Sequence, residues 1–435
     1  MLNDVQYSRE GVTVSSRIER TARGRFDPQT TVSVSFGLMA SLTAIMSMTA
    51  YSVDSFLPAF PVAADAFGVQ PSALQLTLSA FLIGIAAGQL VFGPLSDRLG
   101  RRGPLIAGAA VCAAAAIVAA LAPDVTTLII ARFVQGFAGS SGTVISRAII
   151  RDRTVGDATA RTLASLAVGV GALNVFSPMI GGLLVHWFGW RGPLWFLAAV
   201  AVALLLVVVA VVPETHHRHH RETSNRWLGL PGIVRHLRNR VFLVYVVVQA
   251  GSYATLMAYV SASPFVYQDL LGFDGAQFGL LFSVNAAAAV TVNFVANKWL
   301  RRLGAKRLVL LGLGLSFAGT GAVAVLWTVD APVPAIAVAI TCAMAPLALN
   351  GPNLIGLALN RVTTATGSAA ATIGFVQFCA GSAVAPFVGI WGTTSLLPMC
   401  LTMMGLAAAS ILALLLSRRS ERAIAAAARA AERPL

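Results

Sequence analysis

Charge is scarce in this chain. Only 11% of its 435 residues are Asp, Glu, Lys or Arg, against 57% hydrophobic residues and a mean hydropathy of +0.77. A soluble domain of that length needs more surface charge, so the scarcity excludes the soluble class and leaves an integral membrane protein. Cysteine is rare too. Cys112, Cys342, Cys379 and Cys400 lie inside apolar runs without metal-ligand spacing, which argues against disulfides and metal binding. No Gly-Lys-Ser/Thr phosphate loop occurs, so ATP is not expected as the energy source. Residues 1–31 lack the apolar segment of a secretory leader and read as a basic cytoplasmic tail with Arg9, Arg17, Arg20, Arg23 and Arg25.

What the chain has instead is long apolar runs, at 33–60, 72–95, 104–122, 125–149, 162–186, 191–212, 241–265, 277–299, 307–328, 333–358, 367–391 and 395–417. Each is close to the roughly 20 residues that a helix needs to cross a ~30 Å hydrocarbon core. The expected fold is therefore an all-α membrane protein of twelve transmembrane helices. Of the 31 Lys and Arg residues, 29 fall in the tails and the even-to-odd loops; only Arg132 and Arg191 lie toward the other side. That bias places both termini in the cytoplasm and accounts for the net charge of +14 without nucleic acid. The polar stretch 213–240 divides a bundle over 32–212 from one over 241–417, with a second cytoplasmic tail at 418–435. A shift of 204 residues lays Arg98-Leu99-Gly100 on Arg302-Leu303-Gly304 and Gly108 on Gly312. Two pseudo-symmetric six-helix halves with a substrate site between them are a transporter architecture.

A charge inside the bilayer costs about 3 kcal/mol or more, so each one is a functional candidate. Asp54 in the first span and Arg132 in the fourth stand out. With the first helix ending near Pro61, Asp54 lies about seven residues, or ~10 Å, below the outer face, and Arg132 lies at a similar depth. The two could meet or share a cavity, and an Asp that exchanges a proton for contact with Arg or a cationic substrate is a coupling element. The plainer alternatives are that Asp54 caps a helix in an aqueous vestibule and that Arg132 ties carbonyls or amides together. Tyr51, Gln249 and Tyr253 complete the preferred cavity set, because the first and seventh spans correspond in the repeat. Other polar residues on apolar spans, among them Gln75, Gln89, Asn285, Asn350 and Gln377, divide between cavity lining and interhelical bonds.

The run Gly93-Pro94-Leu95-Ser96-Asp97-Arg98-Leu99-Gly100-Arg101-Arg102-Gly103-Pro104 sets charge and glycine between two apolar spans. With Arg132-Phe133-Val134-Gln135-Gly136 and Ser177-Pro178-Met179-Ile180-Gly181-Gly182, it resembles the signatures of the major facilitator superfamily. The likeness is to its twelve-helix drug:proton antiporters of the bicyclomycin/chloramphenicol-resistance type. Asp54-Ser55-Phe56-Leu57-Pro58-Ala59-Phe60-Pro61 and Ser263-Pro264-Phe265-Val266-Tyr267 are similar to further blocks of that type, although Ser177 stands where a glycine is usual. The resemblance implies alternating access driven by the proton gradient with no bound cofactor. It also implies a monomer in a bacterial inner membrane that handles small molecules and protons. Asp97 would pair with Arg101, Arg147 or Arg151 and face the start of the eleventh helix near Gly367, forming with Gly93, Arg98, Gly100 and Arg102 a cytoplasmic gate. Pro178, Gly181 and Gly182 would make the antiporter contact of the fifth helix. Relatives that carry a second acidic residue two turns earlier have Met46 as its counterpart here, which implies one proton per cycle.

The leading expectation is a drug or metabolite exporter; the alternative is proton-coupled uptake, or export of one specific metabolite, by the same fold. An intramembrane enzyme is excluded because Asp54 is the lone deep carboxylate and five of the six histidines lie in the 213–240 stretch. His216-His217-Arg218-His219-His220 reads as a solvated linker rather than a metal site. The Ala-rich stretch 423–431 is either a helix on anionic lipid or unstructured.

Overall fold

The computed structural model describes residues 34–215, 239–362, 366–389 and 395–431, and every regular element among them is helical. Twelve helices among the described residues are long and apolar enough to cross a bilayer. They are α1 (Phe36–Phe67), α2 (Pro71–Leu99), α3 (Arg102–Leu121), α4 (Val125–Arg153), α5 (Asp157–Phe188) and α6 (Gly192–Val211) in the first half. The second half holds α7 (Arg240–Leu270), α8 (Gly275–Ala296), α9 (Ala305–Thr328), α10 (Val333–Leu359), α11 (Ser368–Gly389) and α12 (Leu397–Leu416). The expected tail at 1–31 and the histidine run at 216–220 lie outside the described residues.

Local chemistry sets the helix ends. Ser35 Oγ accepts from Leu38 N at 3.3 Å before α1, and Asn239 Oδ1 accepts from Val241 N and Phe242 N before α7. Asp124 Oδ1 takes the Thr127 N–H at 2.8 Å before α4, and this bond holds its exposed carboxyl below the ordinary value. Gly100 ends α2 at φ +94°, and Gly304 follows the helix of α8 at φ +77°. The same left-handed stop at the same point of each half is a backbone record of the repeat. Two differences from the apolar runs matter. α1 does not stop at residue 60: a 3-10 turn at Leu57–Ala59 joins it to a helical segment ending at Phe67, so Asp54 lies thirteen residues from its end rather than seven. The helix that contains α12 continues to Ala431, so the 423–431 stretch is helical.

One end of the bundle carries the basic loops, the other Asp65, Asp124, Asp274 and Asp330; we call them the basic and the acidic end. The apolar core follows this polarity. At the acidic end one cluster runs through both halves, from Phe56, Phe60, Leu78 and Phe81 to Tyr259, Phe265, Phe278 and Met403. At the basic end it divides in two. Leu42, Ile45, Phe92, Ile145 and Val208 form a core within the first half, and Phe242, Val246, Leu313, Leu354 and Ile373 a separate one within the second.

Where the halves join, backbone meets backbone. A Cβ on Gly182 would run into the Gly275 carbonyl, and one on Gly279 into the Pro178 carbonyl, so α5 and α8 touch through glycine. Gln75 Nε2 donates to the Ser261 carbonyl at 2.9 Å, and Gln268 Nε2 to the Pro58 carbonyl at 3.1 Å. Ser79 and Ser382 exchange bonds, each hydroxyl donating to the other's carbonyl at 2.8 and 3.0 Å. Within the first half α2 and α4 are equally close, since a Cβ on Gly136 would collide with the Phe81 carbonyl. Backbone cannot yield as a flexible side chain can. Gly136→Val is therefore expected to destabilise the bundle by about 1–3 kcal/mol, read as a lower thermal midpoint of the detergent-purified protein. An unchanged midpoint would contradict the packing.

Candidate functional site

The site begins with the break in α1. The helical segment that opens it ends at Asp54, and Phe56 N bonds to the Val53 carbonyl at 3.3 Å instead of continuing the regular ladder to Ser52. The Ser52 carbonyl is met instead by Arg132, whose Nη2 donates to it, while Nη1 donates to Gln135 Oε1 at 2.8 Å. The guanidinium lies 4.5 Å from the Phe81 ring centre and 5.6 Å from that of Phe56, with 1% of the residue exposed. Such cation–π contacts are worth up to about 2 kcal/mol when desolvated. Among the described residues no carboxylate reaches Arg132 within ion-pair distance. Arg132 and Asp54 thus meet indirectly: the arginine grips helix backbone two residues before the carboxylate. Phe56 and Phe81, the rings that flank it, carry no signal in the sequence that separates them from other core aromatics.

Asp54 is half-buried and makes no hydrogen bond among the described residues. Across the junction of the halves it interacts electrostatically with Tyr253 of α7. The Tyr253 ring stands edge-on to Phe378 at 5.3 Å and rests against Gly381, where a Cβ would meet it. One turn toward the basic end, Gln249 Nε2 donates to Gln377 Oε1 at 2.9 Å, while Gln249 Oε1 is buried without a partner. Gln249 and Tyr253 thus lie against Gln377 and Phe378 of α11, and no hydrogen bond joins either of them to Asp54 among the described residues. Tyr51 does not join them by a bond; its ring lies 6.4 Å from Phe196 in its own half.

The Gly93–Pro104 run forms a second constellation at the basic end. Gly100 needs its positive φ, but a Cβ on Gly93 would meet only Val144 at 4.0 Å and one on Gly103 nothing. Arg101 is 6% exposed and pairs with Asp97 one turn back. Its Nε donates to Asp152 at 3.0 Å and its Nη1 to Ser96 Oγ at 2.9 Å. Burial pulls the Arg101 pKa down, but the hydrogen bonds and charges of Asp152 and Asp97 outweigh it and hold it above the ordinary value. Of the three proposed partners of Asp97, Arg101 is the one found; exposed Arg147 and Arg151 make no ion pair with it. The Asp97–Arg101 contact alone is half-exposed and worth little; burial of the arginine and its second carboxylate give the network its weight.

Two members of this network have no motif to announce them: Asp152, set among Arg151 and Arg153, and Glu214, just beyond α6. Glu214 accepts from the Arg101 and Arg102 backbone N–H groups at 2.8 and 3.3 Å, placing a carboxylate on the otherwise open start of α3. Arg102 also donates to the Val209 carbonyl at 2.7 Å, and Thr215 Oγ1 to Asp152 at 3.0 Å. Arg98 is partly buried beside them. The antiparallel register of α2 and α11, through Gln75 over Gly389, Ser79 at Ser382 and Gln89 over Gly374, brings Asp97 level with the start of the α11 helix at Thr366. In α5, Gly181 packs against the Ser55 carbonyl, beside the α1 break, and Gly182 and Pro178 make the contact with α8 described above.

The model of the Major Facilitator Superfamily matches residues 40–386. A Bacillus subtilis protein named uncharacterized MFS-type transporter YdgK is 31% identical over 346 residues, 79% of this chain and 86% of that one. The bicyclomycin resistance protein homolog of Haemophilus influenzae is 26% identical over 382 residues, covering 87% and 95%. The chloramphenicol resistance protein of Pseudomonas aeruginosa is 28% identical over 360 residues, covering 81% of each. Among solved structures, a D-xylose–proton symporter aligns with a TM-score of 0.70 at 17% identity, over 88% of this chain and 97% of that one. The nucleoside transporter NupG aligns at 0.71 and 11%, over 88% and 99%. At such identities these two likenesses concern the fold alone.

The network around Arg101 carries its own test. Arg101→Lys keeps the charge but not the planar fork, and each lost bond costs about 1 kcal/mol. A fall in thermal midpoint is expected for it, and none for Arg151→Lys. Equal midpoints would discount the network.

Proposed function

The chain belongs to the Major Facilitator Superfamily, and from that premise we propose that it exports small amphipathic molecules or antibiotics across a bacterial inner membrane in exchange for protons. It is a transporter and not an enzyme. The antibiotic-resistance names of its relatives support the export reading. The observation that carries the mechanism is the placement of Asp54: a carboxylate without a hydrogen bond, at a helix break that Arg132 grips, at the junction of the two halves. Protonation there removes a negative charge at the end of a helical segment. Arg132 stands close enough to respond through the Ser52 carbonyl. On this reading Gln249 and Tyr253 of α7 touch cargo, and Tyr51 extends that wall within the first half.

The basic end is read as cytoplasmic, from the charge bias of the loops. On that reading the shared core closes the outer side and the divided cores leave the halves separable within. The Asp97–Arg101–Asp152 network with Glu214 then acts as the cytoplasmic lock, Asp97 at the start of the α11 helix, where exposed N–H groups favour a carboxylate. No cofactor enters this scheme; the proton gradient supplies the energy, and the chain works as a monomer. Uptake, or export of a single metabolite, is the alternative within the same fold.

Cells expressing the wild-type chain are expected to survive higher doses of chloramphenicol or bicyclomycin, with the protection lost in Asp54→Asn and on collapse of the proton gradient. If Asp54→Asn still protects and substrate still drives proton release, the coupling role falls. Asp97→Asn is expected to slow turnover about tenfold while sparing substrate affinity, measured as kcat against KM in proteoliposomes. A parallel loss of both would remove the lock.

A further inference from the structure

The outer face of α3 and α4 is not flat. Between the two helices runs a groove with about 360 Å³ of free volume. Ala114 and Ala131, each a single methyl, leave its floor low. Val111, Val118 and Ile130 stand along its sides, 45% to 59% exposed, and Thr127 lines it with its hydroxyl given to Asp124 at 2.9 Å. One helical turn beyond Val118, toward the acidic end, Arg191 Nη2 donates to the Ala122 carbonyl at 2.9 Å. The guanidinium lies 4.1 Å from the Trp190 ring centre, and exposed Trp187 and Trp195 flank it in sequence. Tryptophan gathers at the headgroup level of a membrane. Among the described residues, exposed Arg191 has no carboxylate within ion-pair distance. Among those residues it is also the one lysine or arginine at the acidic end besides buried Arg132. From Ala122 back to Val111, α3 rises about 16 Å, roughly half of a ~30 Å hydrocarbon core.

We propose that this groove holds one phospholipid, with its phosphate on Arg191 and an acyl chain laid along Val118, Ala114 and Val111. Three features choose that occupant. The walls are apolar, a cation stands at headgroup depth, and groove and cation together span one leaflet. A helix from a second copy of the chain would instead need a groove through the full thickness of the core. A guanidinium carries five N–H donors in a planar fork, so Arg191 receives a phosphate without giving up the Ala122 carbonyl. The exposed carboxylate of Asp124, two residues past Ala122, suits a headgroup that also carries an ammonium. Elsewhere the acidic end offers an anion only Asp65, Asp274 and Asp330, which repel it. The site is independent of the cargo and of the direction of transport.

The probes are a phosphatidylcholine with a diazirine midway along one acyl chain and the diacylglycerol with the same two chains and no phosphate. Each is added in trace amounts to proteoliposomes of the full chain, photolysed, and its adducts are mapped by peptide mass spectrometry. Wild type is expected to concentrate the phosphatidylcholine label on residues 111–134, above the exposed α9 side chains Leu311, Leu315 and Val325. The diacylglycerol is expected to label that stretch about tenfold less, the size of one charge-assisted hydrogen bond. Arg191→Gln is expected to bring the phosphatidylcholine down to the diacylglycerol level, and Ala114→Phe, which fills the groove from an exposed position, to abolish the excess of both. Label spread evenly over all exposed spans overturns the site, leaving an ordinary lipid annulus. Equal labelling by the two probes, or labelling that survives Arg191→Gln, overturns it as well. So does a stretch 111–134 that takes no label while cysteine cross-linking joins α3 of two chains, which makes the face a contact between copies. The comparison of the two lipids uses the unaltered protein, so a variant that fails to fold does not remove the test.

Discussion

A helix cannot break inside a bilayer unless something takes up the carbonyls it frees. Everything distinctive in this chain is arranged around one such break, at Asp54. The Ser52 carbonyl leaves the regular ladder there, and a guanidinium from another helix receives it. Arg132 in turn can be buried only because a carbonyl, an amide oxygen and two aromatic faces replace its water. Break and arginine support each other through the Ser52 carbonyl. Their union leaves Asp54 beside, rather than inside, the hydrogen-bonded cluster.

The same economy of backbone contact governs the junction of the halves. At the acidic end the joints are glycines against carbonyls and side-chain donors against carbonyls, as at Gly182–Gly275 and Ser79–Ser382. Such contacts are close and directional, but each is small, so a group of them can part together. At the basic end apolar packing stays within each half, and charge takes over, with Arg101 drawing Asp97 and Asp152 together and Glu214 seated on α3. The acidic end is thus joined across the halves, whereas at the basic end both apolar packing and the Arg101 ion pairs stay within one half.

Much of this was legible in the sequence, for definite reasons. Length and apolarity alone count helices, because a bilayer core admits little else. The glycine-and-charge run located the network at Asp97 and Arg101 because charge between two spans has few places to go. Asp54 and Arg132 stood out because an ionisable residue in an apolar run is costly. Asp152 and Glu214 did not stand out; acidic residues near basic loops are unremarkable until a neighbour faces them. Nor did Phe56 or Phe81, since an aromatic that flanks a cation reads like one that fills a core.

Composition and order along the chain therefore determined the class, the twelve spans, the twofold repeat and which side chains are too costly to be incidental. These follow from one-dimensional transfer energies, which depend on a residue and its close neighbours in sequence. Only the tertiary structure decided that Arg132 holds the Ser52 carbonyl instead of the Asp54 carboxylate, that Arg101 and not Arg147 or Arg151 pairs with Asp97, and that Gln249 bonds to Gln377 of α11. The first and last of these rest on contacts between helices far apart in sequence, and the second on the burial of Arg101 against Asp152; interactions that short-ranged have no trace in the spacing of residues along one strand of chain.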